Sequence, residues 1–122
     1  SVMALTYYGS TRYMQSYNVM GVAKAALETS IKYLAVDMGD RGIRVNAISA
    51  GPMRTLAGAV INKSRKIYNY TIENSPIKKP LTLEDIGKSS VYLMSDLSKG
   101  VTGEILYVDN GYNNVGMSIQ DL

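Results

Sequence analysis

Two tyrosines and a lysine stand at spacings that could form one reactive site. Tyr17 and Lys24 are seven residues apart in the stretch SYNVMGVAKAALE, and Tyr7 lies ten residues before Tyr17. On a helix, seven residues advance about 700°, within roughly 20° of complete turns, and rise about 10 Å. If one helix carries both, a phenol and an ammonium group can approach one ligand. The phenol can donate a hydrogen bond to an oxygen that gains charge, and the ammonium favours an ionisable or strongly polarised tyrosine.

The same spacing also has a purely structural interpretation, in which a core tyrosine and a surface lysine share a helix face by chance. Composition narrows the chemistry that the first interpretation allows. The 122 residues contain no Cys and no His. No metal site is therefore predicted, and disulfides, His-based triads and His general bases are excluded. Acid–base chemistry in this chain must use Tyr, Lys, Asp or Glu.

The charge and hydropathy patterns argue against two classes of partner. The net charge is +3, which is too weakly basic to indicate binding to nucleic acid. No apolar run is long enough to predict a membrane span, and the first residues do not have the pattern of a signal peptide. The composition is that of an ordinary globular chain of one small domain.

The elements that must position the tyrosines and the lysine alternate between strand and helix. Residues 2–8 are apolar and predict a buried strand, and Ser16 is a candidate N-cap for a long helix that reaches about residue 40. Residues 43–51 predict a second buried strand that ends at Gly51 and Pro52. The long helix has a broad apolar surface, which predicts contacts on two sides, such as a sheet and another subunit.

The second half continues the alternation. Residues 53–75 predict broken helices, and Thr82 is the expected N-cap of a helix whose apolar side chains are Ile86, Val91, Leu93 and Met94. Residues 103–111 predict a third strand, and the tail from Tyr112 is expected to be extended or loosely packed.

This order of elements is typical of a parallel α/β sheet. Three strands make a poor free-standing sheet of this kind, because both faces and both edges of the sheet would need to be covered. No Gly-rich turn such as GxGxxG joins a strand to a helix. We therefore predict a chain with three parallel strands and flanking helices. It would form the C-terminal half of a doubly wound domain, with the dinucleotide-binding half missing upstream.

Three stretches together resemble one family. YNVMGVAKAALE, RVNAISAGPMRTLA and GEILYVDNG are similar to the NADH-dependent enoyl-[acyl-carrier-protein] reductases, a divergent branch of the short-chain dehydrogenases/reductases. The similarity covers essentially the whole chain. Ordinary members of the superfamily carry Lys four residues after the catalytic Tyr, where this chain has Gly21, whereas the enoyl reductases carry it at seven, like Lys24. The family also has a tyrosine ten residues before the catalytic one, like Tyr7.

The resemblance implies a Rossmann-like domain, in which residues 1–122 are the catalytic and substrate-binding part. It implies reduction of the trans-2 double bond of enoyl thioesters in type II fatty-acid synthesis, with Tyr17, Tyr7 and Lys24 as catalytic residues. Tyr17 would hydrogen-bond the thioester carbonyl or enolate oxygen, Lys24 would hold the nicotinamide ribose hydroxyls, and Tyr7 would be a proton donor or a steric guide. The residues implied at the NADH site are Lys24, Met53, Arg54, Thr55, Leu56 and Ala57. Those implied at the substrate are Tyr7, Tyr17, Met20, Ala57 and Ile61.

The resemblance also implies partners and a location. The stretch TLAGAVINKSRKIYNY would be a lid over the acyl chain, and Arg65 and Lys66 beside it would steer the acidic acyl carrier protein. The protein would be a homotetramer in the bacterial cytoplasm or in a plastid-type organelle. Two alternatives stay open, an inactive truncated domain that only oligomerises or interacts, and a related reductase of ketones or dienoyl thioesters. Plain solvation remains an equal interpretation of the two basic residues.

Overall fold

The sheet has three parallel strands, which lie side by side in the order in which they occur along the chain. The computed structural model describes residues 1–61 and 63–117. Within them, β1 (Val2–Thr6) pairs with β2 (Val45–Ala50), and β2 pairs with β3 (Ile105–Val108). Thr6 lies opposite Ser49 in this register. The central strand β2 is buried along almost its whole length because strands flank it on both sides.

Four helices connect and cover the strands in the described residues. They are α1 (Val19–Met38), α2 (Leu56–Ala59), α3 (Ser64–Asn74) and α4 (Leu83–Met94). Short 3₁₀ turns occupy Tyr8–Ser10, Gly39–Arg41, Asp96–Ser98 and Tyr112–Asn114. In the part of the chain that the structure describes, no helix is both long enough and apolar enough to cross a lipid bilayer.

The core forms two clusters, one on each face of the sheet. Ile31 and Ala35 of α1 pack against Val45 and Ala47 of β2. Ile48 points to the opposite face, because successive residues of a strand alternate between faces, and it packs against α4. The buried members of this second cluster are Ile48, Leu81, Ile86 and Leu93. Helices on both faces of a parallel sheet confirm the predicted α/β class.

The long helix begins later than predicted. Ser16 and Asn18 have left-handed backbone angles, with φ of 67° and 51°, so the chain cannot be helical at these positions. Asn18 is the N-cap residue, its side chain makes no capping hydrogen bond, and the first helical residue is Val19. Tyr17 therefore lies in the turn before α1. The prediction that Tyr17 and Lys24 share a face of one helix is wrong, although both still reach one cavity.

Other predicted element boundaries shift by a few residues, and the predicted apolar face of α4 is wrong at two positions. β1 ends at Thr6 rather than at residue 8, and β3 covers only four residues, Ile105–Val108, of the predicted strand 103–111. Thr82 is the N-cap of α4, as predicted. Val91 and Met94 of α4 are 63% and 47% exposed, because at about 100° per residue they fall away from the buried Ile86–Leu93 line. The predicted extended tail begins instead with the turn at residues 112–114, and residues 118–122 lie outside the described part.

Candidate active site

A cavity of about 280 Å³ opens where β1 and β2 end. Tyr7 directly follows β1 and Gly51 directly follows β2, and both residues line it. Tyr17 and Lys24 line the same cavity. The carboxyl ends of parallel strands are where sheets of this type bind ligands. The three residues that the spacing singled out therefore meet at the edge of the sheet where a ligand is expected.

The two tyrosine rings of the cavity pack edge to face. Their centroids are 5.0 Å apart and their planes are inclined by 72°. The Tyr17 side chain is buried, with 6% of its surface exposed. Tyr8 packs on the other side of Tyr7, with its ring centroid 6.1 Å away, and contacts Tyr112 in turn. These contacts fix the Tyr7 ring between two neighbours, so that the position of its hydroxyl follows the position of its backbone.

Two glycines let the ring of Tyr17 fit beneath α1. A Cβ atom at Gly9 would lie 2.6 Å from Cδ1 of Tyr17. A Cβ atom at Gly21 would lie 2.8 Å from the carbonyl oxygen of Gly9, closer than such contacts allow without a backbone shift. The first turn of α1 and the turn after β1 are therefore in direct backbone contact. This contact explains physically why position 21 has no side chain.

Lys24 is anchored to β1. Its Nζ donates a hydrogen bond to the carbonyl oxygen of Leu5, 2.9 Å away. An ammonium group has three donors, so this bond orients the side chain and leaves it able to bind hydroxyl groups in the cavity. Lys24 and Tyr17 therefore line one cavity although they do not share a helix face, and their joint role in a reaction stays a prediction.

Burial raises the pKa of both tyrosines. Desolvation raises the pKa of Tyr17 above its usual value. Desolvation raises the pKa of Tyr7 further, and the neighbouring phenol of Tyr17 adds to this effect. Burial therefore opposes ionisation of Tyr17, and the strongly polarised, protonated phenol is the one of the two expected forms that this direction favours. Both phenols are protonated at neutral pH, and a protonated phenol can donate a hydrogen bond.

The residues predicted to contact the cofactor divide between two surfaces. Met53, Thr55 and Ala57 line the cavity together with Lys24. The Thr55 hydroxyl also caps α2 by accepting a hydrogen bond from the Gly58 amide at 3.0 Å. The segment after β2 thus begins a new helix at the cavity wall, and the cap fixes where it begins.

The structure does not place Arg54 and Leu56 in the cavity. They line an adjoining open recess, where the Leu56 side chain is 93% exposed. The Arg54 guanidinium lies over the ring of Tyr68, with Cζ 5.2 Å from the ring centroid. Met53 and Thr55 line both the cavity and the recess, so this segment forms the wall between the two.

The residues predicted at the substrate all line the cavity. They are Tyr7, Tyr17, Met20, Ala57 and Ile61. Of the two basic residues predicted to dock a carrier protein, Arg65 lines the recess, and Lys66 is exposed outside both surfaces. Their roles stay predictions, and their positions place positive charge at the rim of the site.

Several residues of the cavity wall were not named individually from the sequence, although three of them belong to the predicted lid stretch TLAGAVINKSRKIYNY. Met14 and Gln15 line it from the loop before α1, and Ser64, Ile67 and Tyr68 line it from α3. The three α3 residues follow the i, i+3, i+4 spacing of one helix face, a signal that could have identified them. Within residues 1–61 and 63–117, no group of three or more acidic side chains could hold a metal ion.

The comparisons with known proteins point to one family. Residues 1–113 match the model of the family described as Enoyl-(Acyl carrier protein) reductase. The chain is 62% identical over 117 residues to Enoyl-[acyl-carrier-protein] reductase [NADH] 2 of Rhizobium meliloti (strain 1021), a match that covers 96% of this chain and 44% of that protein.

Solved structures agree with the family match. FabI from Candidatus Liberibacter asiaticus is 60% identical, with a TM-score of 0.91. The enoyl-(acyl-carrier-protein) reductase of Anaplasma phagocytophilum, solved in complex with NAD, is 54% identical, with a TM-score of 0.89. These matches cover 94% of this chain and 45% and 44% of the two solved chains. The chain therefore spans less than half the length of these relatives, and it belongs to the Enoyl-(Acyl carrier protein) reductase family.

Proposed function

We propose that the complete protein reduces the trans-2 double bond of enoyl-acyl-carrier-protein thioesters with NADH, in type II fatty-acid synthesis. The convergence of Tyr7, Tyr17 and Lys24 on one cavity at the carboxyl ends of β1 and β2 is the observation that carries this proposal. Family membership supports it, and the Rhizobium meliloti relative carries NADH in its printed name.

Each of the three residues has a role that its position supports. The buried Tyr17 phenol donates a hydrogen bond to the thioester carbonyl oxygen and strengthens it as that oxygen gains enolate charge. Tyr7, with its ring against Tyr17, lies beside the α-carbon as a proton donor or a steric guide. NADH, when bound, supplies the hydride for the β-carbon. The cavity fits the nicotinamide end of this cofactor because Lys24 offers donors for ribose hydroxyls beside an apolar wall.

The remaining cofactor and substrate contacts follow the two surfaces of the site. Met53, Thr55 and Ala57 are proposed to border the nicotinamide, and Arg54 and Leu56 to border the part of the cofactor that extends into the recess. The acyl chain would then lie against the apolar side chains of the cavity. In this proposal these are Met20, Ala57 and Ile61.

We propose that the described chain is the C-terminal half of a single Rossmann-like domain. Relatives about twice as long support this division, since the match covers 44% of the Rhizobium meliloti protein. The preceding half would supply the Gly-rich turn and the adenine pocket. We expect the 122-residue chain alone to bind NADH at least about a hundredfold more weakly than the complete protein, because it lacks those contacts. Equal affinities in fluorescence titrations would contradict the division.

Three further features of the complete protein are proposals of the same kind. It would accept its substrate from acyl carrier protein, which is steered by Arg65 and Lys66 at the rim of the recess. It would assemble as a homotetramer, which would cover exposed apolar side chains of α1 such as Val22 and Val36. It would act in the bacterial cytoplasm or in a plastid-type organelle, a proposal that the bacterial sources of the relatives support.

The proposal is tested with the complete protein and three substrates. NADH oxidation is followed with an enoyl thioester, a dienoyl thioester and a 3-oxoacyl thioester, each bound to carrier protein. Tyr17→Phe is expected to lower kcat for the enoyl substrate about a hundredfold or more, because it removes the donor to the developing oxyanion. The exposed Tyr92 of α4 lies outside the cavity and provides a matched control, so Tyr92→Phe should leave kcat unchanged.

Each alternative has its own outcome in this assay. Preference for the 3-oxoacyl or dienoyl substrate would replace the proposed reaction with that of a related reductase. Absence of turnover with all three, in a folded and oligomeric protein, would favour the inactive interaction domain. Retention of full activity in Tyr17→Phe would remove that residue from the mechanism.

A further inference from the structure

Glu28 is a buried carboxylate that the proposed reaction does not use. It lies on the sheet-facing side of α1, where 9% of its surface is exposed. Its Oε1 accepts hydrogen bonds from the hydroxyl of Thr6 at 2.6 Å and from the hydroxyl of Ser10 at 2.5 Å. These lengths are typical of hydroxyl–carboxylate hydrogen bonds. Burial of a carboxylate is costly unless such partners satisfy it, so the three residues form one unit.

The two donors flank Tyr7. Thr6 is the last residue of β1, and Ser10 ends the 3₁₀ turn that follows it. One carboxylate oxygen therefore ties together both ends of the segment that carries Tyr7 and Tyr8. Movement of either donor away from α1 would lengthen one of these short bonds.

The same helix also holds Lys24. Glu28 follows Lys24 by one helical turn, so the two side chains lie on neighbouring positions of one face of α1. Lys24 donates to the carbonyl oxygen of Leu5, and Glu28 accepts from Thr6 and Ser10. The relative position of Tyr7 and Lys24 thus depends on a row of hydrogen bonds between α1 and the end of β1.

We propose that Glu28 is a positioning residue, which sets the Tyr7 side chain relative to Tyr17 and Lys24 through its hydrogen bonds to Thr6 and Ser10. The effect of this positioning on the reaction rests on the proposed function. Because the Tyr7 ring packs against Tyr17, with centroids 5.0 Å apart, a shift of residues 6–10 moves the Tyr7 hydroxyl within the cavity. Misplacement of a reacting group by about 1 Å can lower a rate by roughly a hundredfold.

The test is a double-mutant cycle in the complete protein. Glu28→Met keeps the side-chain length but removes the acceptor, and Thr6→Val removes one donor with little change in shape. Each is expected to lower kcat for the enoyl thioester about tenfold or more and to leave the KM for NADH within about twofold, since Lys24 keeps its own bond to Leu5. In a Tyr7→Phe background, neither should lower kcat further.

Two comparisons separate positioning from a general loss of structure. Glu28→Gln retains a carbonyl acceptor and should recover most of kcat if the protein needs the hydrogen bonds. Glu73 is an exposed carboxylate of α3, and Glu73→Met should change neither kcat nor KM. If Glu28→Met does not fold, Thr6→Val carries the cycle with Tyr7→Phe, and the melting temperature is the control for folding.

Three results would overturn the inference. The first is an unchanged kcat in Glu28→Met. The second is a loss of kcat on Glu28→Met that is equal in the wild-type and Tyr7→Phe backgrounds. The third is an unchanged kcat in Tyr7→Phe alone, while Glu28→Met lowers kcat. A second readout does not need activity, namely the absorbance of the Tyr7 phenolate during alkaline titration. Glu28→Met should lower the pKa of Tyr7 toward its usual value, because the displaced ring gains solvent.

The two readouts also distinguish failure of this inference from failure of the proposed function. A wild-type protein without enoyl reductase activity would contradict the proposed function, and the titration of Tyr7 would still report on its position. An active wild type whose Tyr7 titrates identically in Glu28→Met would contradict only the positioning role.

Discussion

At the scale of single residues, the packing of Gly21 gives the sharpest prediction about stability. Gly21→Ala should lower the free energy of unfolding by about 1–3 kcal/mol, because its Cβ would lie 2.8 Å from the Gly9 carbonyl oxygen. Gly87→Ala in α4 is the matched control. No atom lies within 4 Å of a Cβ at that position, so the helix should gain up to about 1 kcal/mol. Urea unfolding of both variants measures the difference, and equal shifts would contradict the close contact.

The buried tyrosines give a prediction about pH. Folding raises the pKa of Tyr7 and Tyr17, chiefly through desolvation, above the usual value of 10.0. The unfolded chain therefore releases these protons first as the pH rises. The stabilisation that comes from the protonated Tyr7 and Tyr17 is fully present below about pH 10. It is lost as the pH rises through the pKa values that these two groups have in the folded protein.

Thermal melts of the complete protein from about pH 8 to about pH 11 measure this loss. Tyr7→Phe should flatten the alkaline decline, since one of the two shifted groups is gone. The exposed Tyr13 serves as the control, and Tyr13→Phe should leave the decline unchanged. Parallel declines in wild type and Tyr7→Phe would show that the Tyr7 pKa is not raised by folding.

The spacing and the resemblance together were sufficient to select Tyr7, Tyr17 and Lys24. The helical geometry offered as the reason was wrong for Tyr17, because a turn with positive φ at Ser16 and Asn18 precedes the helix. Glu28 could not be found in the same way, since its partners Thr6 and Ser10 lie on another element. Its one signal in the sequence is a carboxylate on the stripe of α1 that also carries Ile31 and Ala35.

At the scale of elements, the capping box of α4 is the feature most open to measurement. The Thr82 hydroxyl accepts from the Asp85 amide at 3.2 Å, and Asp85 Oδ2 accepts from the Thr82 amide at 2.9 Å. Thr82→Ala should lower the free energy of unfolding by about 1 kcal/mol. Lys88→Ala is the control on the same helix. It breaks the Glu84–Lys88 ion pair, whose side chains are over 70% exposed, and should change stability by about 0.5 kcal/mol or less.

The same box has a pH signature. The Thr82 hydroxyl and amide lower the pKa of Asp85 below its usual value, with a smaller contribution from Lys88. A carboxyl group whose folded-state pKa is lowered stabilises the fold above its unfolded value of 3.8 and loses this effect as the pH falls through the folded value. The cost of Thr82→Ala in urea unfolding should therefore shrink in acid. A cost independent of pH would contradict the contribution of Asp85.

The sequence was informative about which elements exist and less informative about where they end. Apolar runs and the Thr82 cap identified all three strands and α4, since burial and capping leave local patterns. The start of α1 was misplaced because Ser16 is a residue type that serves equally as a cap and in a turn. Val91 and Met94 were expected on the buried face of α4 but are exposed, because an apolar residue type does not by itself show that a side chain is buried.

At the scale of the whole molecule, the charged rim gives a prediction about partners. Arg65→Ala combined with Lys66→Ala should raise the KM for carrier-bound enoyl substrate about threefold or more, and should affect a coenzyme A thioester less. The reason is the loss of attraction to an acidic carrier, so added salt should reduce the difference. Steady-state kinetics with both substrates at two salt concentrations provide the measurement.

A second double variant controls for net charge. Lys32→Ala combined with Arg41→Ala removes two exposed charges from α1 and the turn after it, and neither residue lines the cavity or the recess. It should not change the ratio of the two KM values. Equal effects of the rim variant on both substrates would reject the docking role and leave the rim residues as solvated charges.

The contact between Gly21 and Gly9 also bears on how this branch of the superfamily could have diverged. The ordinary spacing would require a lysine at position 21, where even a methyl group meets the Gly9 backbone. Transfer of the lysine from position 24 to position 21 would therefore need a rearranged turn after β1 before the new side chain could be tolerated. In this chain, a single substitution at position 21 would overpack the contact with Gly9, so the position of the lysine is constrained by the space around α1 as well as by the chemistry of the site.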